Sequence, residues 1–165
     1  MVLKLVETIQ TKFSKLELCE ALIRAWYAEY GSLPTKESVG VLVAQNGIES
    51  GKDYCWNYNI GNSKVGNDNP NKVIEYMQLK NTWEIINGKK VIFQPPHRAT
   101  WFRSFPTLSE GIHHHLALLK NQRYKIAWTA VEQGNVPLFA HLLRQQGYYT
   151  APEVDYVRGM MAHYN

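Results

Sequence analysis

The stretch that decides the fold is VAQNGIESGKDYCWNYNIGNSK, residues 43–64, in which an apolar helical pattern gives way to a loop rich in asparagine, glycine and aromatic residues. Its single glutamate, Glu49, stands where the helical pattern ends, and Ser50 and Gly51 follow at once. The negative end of a helix dipole and a partly apolar setting both disfavour a carboxylate and raise its pKa. A glutamate at a helix end is usually just solvated, but this loop makes Glu49 a candidate general acid.

Composition places the chain among single-domain globular proteins with a surface suited to hydroxyl-rich polymers. The 165 residues, 45% of them hydrophobic, are enough for one domain, residues 1–165, whose core needs no disulfide bonds. Aromatic residues make up 12% and charged residues only 19%, so amides, hydroxyls and rings dominate the predicted polar surface. Such surfaces suit sugars, because rings stack on sugar faces and amides exchange hydrogen bonds with hydroxyls.

The net charge of +4 favours association with an anionic polymer such as a bacterial wall, a nucleic acid or a membrane surface. Lys and Arg are scattered without a basic run, so we expect no nucleic-acid partner. No stretch is long and apolar enough for a membrane span or a signal peptide. We therefore expect a protein made in the cytoplasm, with no membrane partner, that is carried or released by other means if its target lies outside the cell.

Cysteine and histidine spacing gives no reason to expect a cofactor or a metal. Cys19 and Cys55 fit neither a metal motif nor a disulfide framework, and the sequence leaves open whether they pair. His113, His114 and His115 fall within a predicted helix, where successive side chains point about 100° apart and cannot converge on one ion. We therefore predict neither a metal site nor a cofactor.

Capping signals and helical periodicity predict six helices. The first follows a capping box at Ser14 and stops at Gly31, and the second follows Thr35 and ends at Glu49. Aromatic residues at helical spacing are predicted to lie in the core; these are Trp26, Tyr27, Trp128 and Phe139. The remaining four helices span about 108–119, 125–133, 137–146 and 153–163.

Alternating residues predict a small antiparallel β lobe over about 73–105. Within it, Asn87 and Gly88 separate two apolar runs, which is the strongest short signal for a hairpin. A third extended run covers 99–105. The predicted fold class is α+β and mainly helical, with a cleft where the helical and β lobes meet. The helical lobe comprises about 14–50 and 107–165.

Five segments form an ordered pattern along the chain: QNGIESG, CWNYNIGNSK, TWEIINGKK, WFRSFPTLSEGI and LLRQQGYYTAP. Together they resemble the lysozyme-like glucosaminidase family of peptidoglycan hydrolases, which includes flagellar rod-cap muramidase domains, autolysins and phage lysins. The resemblance covers about 33–161. It implies a lysozyme-like fold and cleavage of the glycan strands of the bacterial cell wall.

The resemblance also implies roles for matching residues. Glu49 matches the family's catalytic general acid, and Tyr148 matches the tyrosine that closes the cleft beside it. Glu84 falls where the family often has a second carboxylate, and we assign it, with Glu49 and Tyr148, to the catalytic set. The loop residues that match the floor of the cleft are Tyr58, Asn59 and Gly61.

Position along the chain adds further candidate sugar contacts. Trp56 and Trp101, like Tyr58, lie on predicted loops or strands rather than at helical spacing, so their rings are candidates for stacking on sugars. Ser50 and Tyr149 complete the predicted substrate-binding set.

Cleavage of a glycosidic bond needs an acid that is still protonated near neutral pH, and both the inverting and the retaining route need a second carboxylate. Glu84, Asp68 or Glu75 could supply it. For Glu84, a cross-strand ion pair with Lys89 or Lys90 is an equal alternative. Substrate-assisted catalysis, or a lytic transglycosylase reaction that forms an anhydro sugar, would need no second carboxylate.

The predicted function is hydrolysis of peptidoglycan glycan strands, as an endo-β-N-acetylglucosaminidase or a muramidase, with the N-acetylglucosaminyl bond preferred. The context that fits is a phage lysin or a virion-borne hydrolase, with a virion or tail assembly as partner. The alternative from a different class is a non-catalytic glycan-binding or structural component of a phage tail or secretion apparatus.

Overall fold

The computed structural model describes residues 2–51, 53–66 and 73–164. Its strands are β1 (Val2–Leu5), β2 (Gln10–Lys12), β3 (Tyr54–Trp56), β4 (Val73–Gln78), β5 (Thr82–Ile86), β6 (Lys89–Phe93) and β7 (Trp101–Arg103). Its helices are α1 (Lys15–Tyr30), α2 (Lys36–Glu49), α3 (Leu108–Leu119), α4 (Lys125–Glu132), α5 (Val136–Gln145) and α6 (Glu153–Tyr164). The predicted α+β, mainly helical class is confirmed.

Local capping explains where the helices begin. The Ser14 side chain accepts a hydrogen bond from the backbone of Glu17, whose carboxylate accepts one from Ser14, so the predicted capping box is present. Thr35 caps α2 and Thr107 caps α3 in the same way, through backbone N–H groups three residues on. Because these signals are local, the predicted helix bounds agree with the structure to within one residue.

Helix α2 lies at the centre of the core. Its residues from Val41 to Asn46 are all buried, because α1, α4 and α6 pack around it. The stacked rings of Trp26 and Trp128, with centroids 5.3 Å apart, join α1 to α4. The core prediction holds for Trp26, Trp128 and Phe139 but is wrong for Tyr27, which is 56% exposed. Tyr27 is one residue past Trp26, which turns its side chain about 100° away from the buried stripe.

The β lobe contains one sheet and two separate strand pairs. β4 pairs with β7 in antiparallel fashion, and β5 forms the predicted hairpin with β6 through Asn87 and Gly88, both at positive φ. β2 pairs with β3. The extended run predicted over 99–105 contains a short 3-10 turn, Arg98–Thr100, and then only the three residues of β7.

The sequence patterns missed the two N-terminal strands. β1 pairs with β4 in parallel, so Val2 lies opposite Val73, and the β structure extends beyond the predicted antiparallel lobe. The partner of β1 is about seventy residues away, and the four residues of β1 are too few to show periodicity on their own.

Both cysteines are free thiols, so Cys19 and Cys55 do not pair. Cys55 is buried on β3 opposite Thr11 of β2, and burial raises the pKa of its thiol to about 11. Within the described ranges, no helix combines the length and the apolar character that crossing a membrane requires.

Candidate active site

Glu49 is the last residue of α2, and its carboxyl group faces α6. The hydroxyl of Tyr156 donates a hydrogen bond to Oε1 of Glu49 across 2.9 Å. Burial raises the pKa of Glu49 to about 7, and the hydrogen bond from Tyr156 opposes part of that rise. The raised pKa expected from the helix-end position is therefore present, and its main cause is burial. Near neutral pH, a carboxyl group with this pKa can both hold and release a proton.

The end of α2 is tied to the loop that follows it. The side-chain nitrogen of Asn46 donates to the carbonyl of Ile60 at 3.1 Å and to Oγ of Ser50 at 2.8 Å. The Ser50 hydroxyl in turn donates to the backbone oxygen of Asn46 at 3.2 Å. The side chain of Asn62 donates to the backbone carbonyl of Glu49. Ser50, predicted to contact substrate, has its hydroxyl engaged within the protein, so its observed role is to cap α2.

Asn59 shapes the loop from inside. It is 2% exposed, and its Nδ2 donates to the carbonyls of Ser63 at 2.9 Å and Arg103 at 3.0 Å. Its Oδ1 accepts from the backbone N–H of Ser63 at 2.8 Å. The predicted direct substrate contact by Asn59 does not fit this geometry, because its amide is buried and already hydrogen-bonded. Asn59 supports the floor of the site instead.

Gly61 supports the floor through its lack of a side chain. A Cβ atom there would lie 2.2 Å from Nδ1 of His115, so only glycine lets the loop rest on that ring. Its carbonyl accepts a hydrogen bond from the hydroxyl of Tyr148 at 3.3 Å. Gly61 is buried, so like Asn59 it holds the loop in place and does not face a ligand. Tyr58, next to both, is half-buried and remains a candidate contact.

Three tyrosines form a wall beside Glu49. The negative charge of Glu49 contributes to raising the pKa of both Tyr148 and Tyr156, after burial, so both phenols lie close to the carboxyl group. Tyr149 stacks on Tyr156, with centroids 3.7 Å apart and ring planes 5° apart, and its hydroxyl donates to the carbonyl of Ala140. The structure therefore places the phenol of Tyr148 near Glu49 and stacks Tyr149 on Tyr156, and their roles in catalysis and substrate binding stay predictions.

Sequence patterns missed Tyr156, which makes the direct hydrogen bond to Glu49. It lies within α6, and an aromatic residue on the apolar face of a helix predicts an ordinary core residue. The sequence signal that could have identified Tyr156 is the density of tyrosines, since Tyr148, Tyr149 and Tyr156 fall within nine residues.

The candidate second carboxylates are on the β lobe or its loop. Glu84 forms an ion pair with Lys64, so the predicted alternative of a pair with Lys89 or Lys90 is wrong. The hairpin register places Glu84 opposite Val91, and Lys90 lies over the ring of Trp83 instead. A separate ion pair, 2.6 Å long, joins Glu75 to Lys4 across the parallel strands. Asp68 lies outside the described residues.

The two predicted tryptophan contacts are half-buried and packed against other rings. Trp56 meets Tyr54 edge to face, with centroids 6.4 Å apart. Trp101 lies against Tyr76, and its indole N–H donates to the carbonyl of Pro96 at 3.0 Å. Each ring is therefore held in a fixed orientation, as a stacking platform for a sugar requires.

The three consecutive histidines point in different directions. His115 is 2% exposed, lies 3.0 Å from Oε1 of Gln45, and has its pKa lowered to about 3 chiefly by burial. His113 is exposed to solvent. In the part of the chain that the structure describes, no group of three or more His, Cys, Asp or Glu side chains could hold a metal ion.

A cavity of about 510 Å³ lies beside the C-terminal half of α2. It opens between the start of α1, the middle of α2 and the end of α6, and Glu49 is absent from its wall. We therefore place the site at the tyrosine wall and not in this cavity. The cavity is lined by Ser14, Lys15, Val43, Asn46, Gly47, Asp53, Ala162 and His163.

Comparison with models of protein families finds no match, and comparison with curated proteins finds none. Among solved structures, a mutant peptidoglycan hydrolase from Sphingomonas sp. A1 is similar, with TM-score 0.57 and 22% sequence identity over 90% of this chain and 92% of that one.

Two structures of the glycoside hydrolase domain of FlgJ from Salmonella typhimurium each give TM-score 0.48 and 20% identity. The C-terminally truncated form aligns over 90% of this chain and 93% of its own, and the other over 92% and 87%. The Sphingomonas comparison confirms, at the level of the fold, the predicted resemblance to lysozyme-like peptidoglycan hydrolases.

Proposed function

We propose that this chain hydrolyses the glycan strands of bacterial peptidoglycan, with Glu49 as the general acid. The observation that carries the proposal is the half-buried carboxyl group of Glu49, whose pKa burial raises to about 7 and which Tyr156 holds by a hydrogen bond. The fold supports the substrate class, since the similar Sphingomonas sp. A1 protein is a peptidoglycan hydrolase. We expect action on the cell wall, and the net charge of +4 favours association with that anionic polymer.

The chemistry requires a proton at the glycosidic oxygen as the bond breaks, because the departing sugar alkoxide is a poor leaving group. A general acid works best when its pKa lies near the working pH, since it is then protonated and still able to give up its proton. Glu49 meets this condition near pH 7. Tyr148 and Tyr149 are the candidate contacts beside Glu49, and Trp56 and Trp101 are the candidate stacking rings for sugars.

The route after proton transfer depends on a second group. In a retaining enzyme a carboxylate lies about 5–5.5 Å from the acid, where its charge would raise the pKa of the acid further. Among the described residues, the causes that shift the pKa of Glu49 are burial and Tyr156, not a neighbouring carboxylate. This favours either a substrate-assisted route or an inverting one, in which a base such as the half-exposed Glu84 would have to lie about 6.5–9.5 Å from Glu49 in the working enzyme.

The test is digestion of purified peptidoglycan by the wild type, by Glu49→Gln and by Glu20→Gln as a matched control on the exposed face of α1. Glu49→Gln keeps the shape and removes the proton, so we expect activity to fall by about 10²–10⁴-fold while Glu20→Gln stays active. Mass and reducing-end analysis of the fragments then identifies the bond, with the N-acetylglucosaminyl linkage expected over the muramyl one.

Other products would change the assignment. Anhydro ends would identify a lytic transglycosylase. Retained wall binding with no released fragments from the wild type would identify a glycan-binding or structural protein. Equal activity in Glu49→Gln and the wild type would exclude Glu49 as the acid. Delivery by a phage or virion is a further proposal, to be tested by looking for the chain in purified particles.

A further inference from the structure

Residues 146–148 form the turn that leads out of α5 and carries Tyr148. The N–H of Gly147 donates to the carbonyl of Arg144 at 2.9 Å, and the N–H of Tyr148 donates to the carbonyl of Leu143 at 2.9 Å. Gly147 has a φ of +71°, and together with these two bonds it forms the Schellman motif that ends many helices. The motif uses carbonyls within α5 and leaves those of the turn itself for other donors.

One side chain from another part of the fold donates to two of the turn's carbonyls. Arg123, in the connection between α3 and α4, donates through Nε to the carbonyl of Gln146 at 2.8 Å and through Nη2 to the carbonyl of Gly147 at 3.5 Å. A guanidinium group is planar and holds its donors in a fixed fork, so contact with two consecutive carbonyls restricts the direction of the turn. A Cβ atom at Gly147 would lie 2.9 Å from Nη2, which shows how closely the arginine approaches the backbone.

The connection that presents Arg123 is itself held by hydrogen bonds. Oδ1 of Asn121 accepts from the backbone N–H groups of Arg123 at 2.9 Å and Tyr124 at 3.0 Å. The guanidinium group lies 5.2 Å from the ring centroid of Tyr124, and that ring meets the ring of Tyr148 edge to face, with centroids 5.3 Å apart. Arg123 and Tyr124 therefore contact the turn side by side, the first at its backbone and the second at the ring of Tyr148.

The other end of the Tyr148 side chain reaches the floor of the site. Its hydroxyl donates to the carbonyl of Gly61 at 3.3 Å. The next residue of the floor, Asn62, donates from its side chain to the backbone carbonyl of Glu49. The Tyr148 side chain thus links the turn after α5 to the loop that is fixed to the end of α2.

We propose that Arg123 is a positioning residue that acts on the site through Tyr148. It holds the turn after α5 so that the ring of Tyr148 packs on Tyr124 and the hydroxyl of Tyr148 reaches Gly61. Arg123 is exposed to solvent, and the Schellman motif already closes α5, so the arginine fixes where the turn points and not whether the helix ends there. This inference rests on the proposed function, in which Tyr148 is a candidate contact beside Glu49.

The alternative is that Arg123 supplies only a positive charge near the C-terminal end of α5, which a lysine would supply equally well. The test therefore compares Arg123→Lys, which keeps the charge and loses the fork, with Arg123→Gln, which loses both. Tyr148→Phe and its combination with Arg123→Lys complete a double-mutant cycle. Arg24→Gln is the matched control, because it removes an exposed guanidinium group from the middle of α1.

Two quantities are measured: kcat on peptidoglycan, and the carbon-13 NMR signal of the Tyr148 ζ carbon at pH 7 in protein with labelled tyrosines. The signal that is lost in Tyr148→Phe identifies the Tyr148 resonance. We expect Arg123→Lys and Arg123→Gln to shift this resonance toward those of exposed tyrosines such as Tyr27. In both variants kcat should fall about three- to tenfold.

The combined variant should have the same kcat as Tyr148→Phe alone, because Arg123 acts through Tyr148. Arg24→Gln should match the wild type in kcat and in the position of the Tyr148 resonance.

Three results would overturn the inference: full activity in Arg123→Lys, additive effects of Arg123→Lys and Tyr148→Phe on kcat, or an unmoved Tyr148 resonance in both Arg123 variants. If Arg123→Gln does not fold, Arg123→Lys carries the same test. If the wild type releases no glycan fragments, the proposed function fails, but the NMR signal still decides whether Arg123 positions Tyr148.

Discussion

The hydroxyl of Tyr156 donates a 2.9 Å hydrogen bond to Oε1 of Glu49, which joins the last helix of the chain to the end of α2 across 107 residues of sequence. The bond favours the ionised form of Glu49, whereas burial favours the neutral form more strongly, and the balance leaves a pKa of about 7. Tyr149 stacks on the same ring and limits its movement. A carboxyl group poised near neutrality is thus a product of how α6 packs on α2.

Replacing Glu49 with glutamine should change how stability depends on pH. The pKa of Glu49 is about 7 in the folded protein and near 4.5 when unfolded. Its contribution to the unfolding free energy is therefore full below pH 4.5 and is lost as pH rises through 7. The free energy lost over this range is about 3 kcal/mol. Relative to the wild type, Glu49→Gln should therefore gain stability between pH 4.5 and 7. Urea denaturation at several pH values measures this; parallel curves for the two proteins would contradict it.

The titration of His115 should make stability depend on pH in the opposite direction. Its pKa is about 3 in the folded protein and near 6.5 when unfolded, so its contribution is present above pH 6.5 and is lost as pH falls. The loss is about 1.4 kcal/mol per pH unit. Between pH 6.5 and 4.5 the effects of His115 and Glu49 on the unfolding free energy nearly cancel in the wild type. On acidification through this range, we expect Glu49→Gln to lose stability and His115→Gln to gain it. If the unfolding free energies of the two variants change with pH in the same direction, the two effects do not cancel as described.

Gly111→Ala tests whether the packing of α3 positions the loop of the site. A Cβ atom at Gly111 would lie 1.9 Å from the backbone oxygen of Tyr58, so the loop must move. We expect a loss of about 1–3 kcal/mol in unfolding free energy together with reduced activity. Gly66→Ala is the control, because nothing lies within 4 Å of a Cβ atom there. Similar thermal unfolding temperatures for the two variants would count against the close contact.

Asn59→Ala should destabilise the loop that forms the floor. The substitution removes the hydrogen bonds that the Asn59 side chain makes to the N–H of Ser63 and the carbonyl of Arg103, whereas the carbonyl of Ser63 still accepts from the backbone N–H of Arg103. Each buried group that loses its partner costs about 1–3 kcal/mol, so we expect a total loss of about 3 kcal/mol or more. Asn135→Ala, which removes only the cap of α5, should cost about 1 kcal/mol. Equal losses in the two variants, measured by urea denaturation, would disagree with this account.

Glu84→Gln and Lys64→Met together separate an ion pair from a catalytic base. The pair is about 40% exposed, so breaking it should change stability by less than about 1 kcal/mol in either variant. If Glu84 is the base of an inverting route, Glu84→Gln should lower kcat by about 10²–10⁴-fold while Lys64→Met does not. Full activity in Glu84→Gln would leave the substrate-assisted route, which needs no second carboxylate.

Sequence alone determined the helices, the hairpin and the position of Glu49 at a helix end, because their signals are local. Capping residues such as Ser14, Thr35 and Thr107 satisfy backbone groups three residues away, so the pattern of side chains marks each helix start directly. Asn87 and Gly88 accept positive φ, which specifies the turn between β5 and β6. The position of Glu49 at the end of an apolar helix, ahead of an amide-rich loop, likewise needed no tertiary information.

Tertiary structure alone decided what surrounds the carboxyl group of Glu49. The pairing of Val2 with Val73, the ion pair of Glu84 with Lys64, and the contact of Tyr156 with Glu49 all join residues far apart in sequence. No local periodicity encodes such contacts, because they depend on how whole helices and strands pack. The sequence therefore identified Glu49 as the candidate acid, whereas burial at the packed end of α2, with the hydrogen bond from Tyr156 of α6, sets the pKa of its carboxyl group.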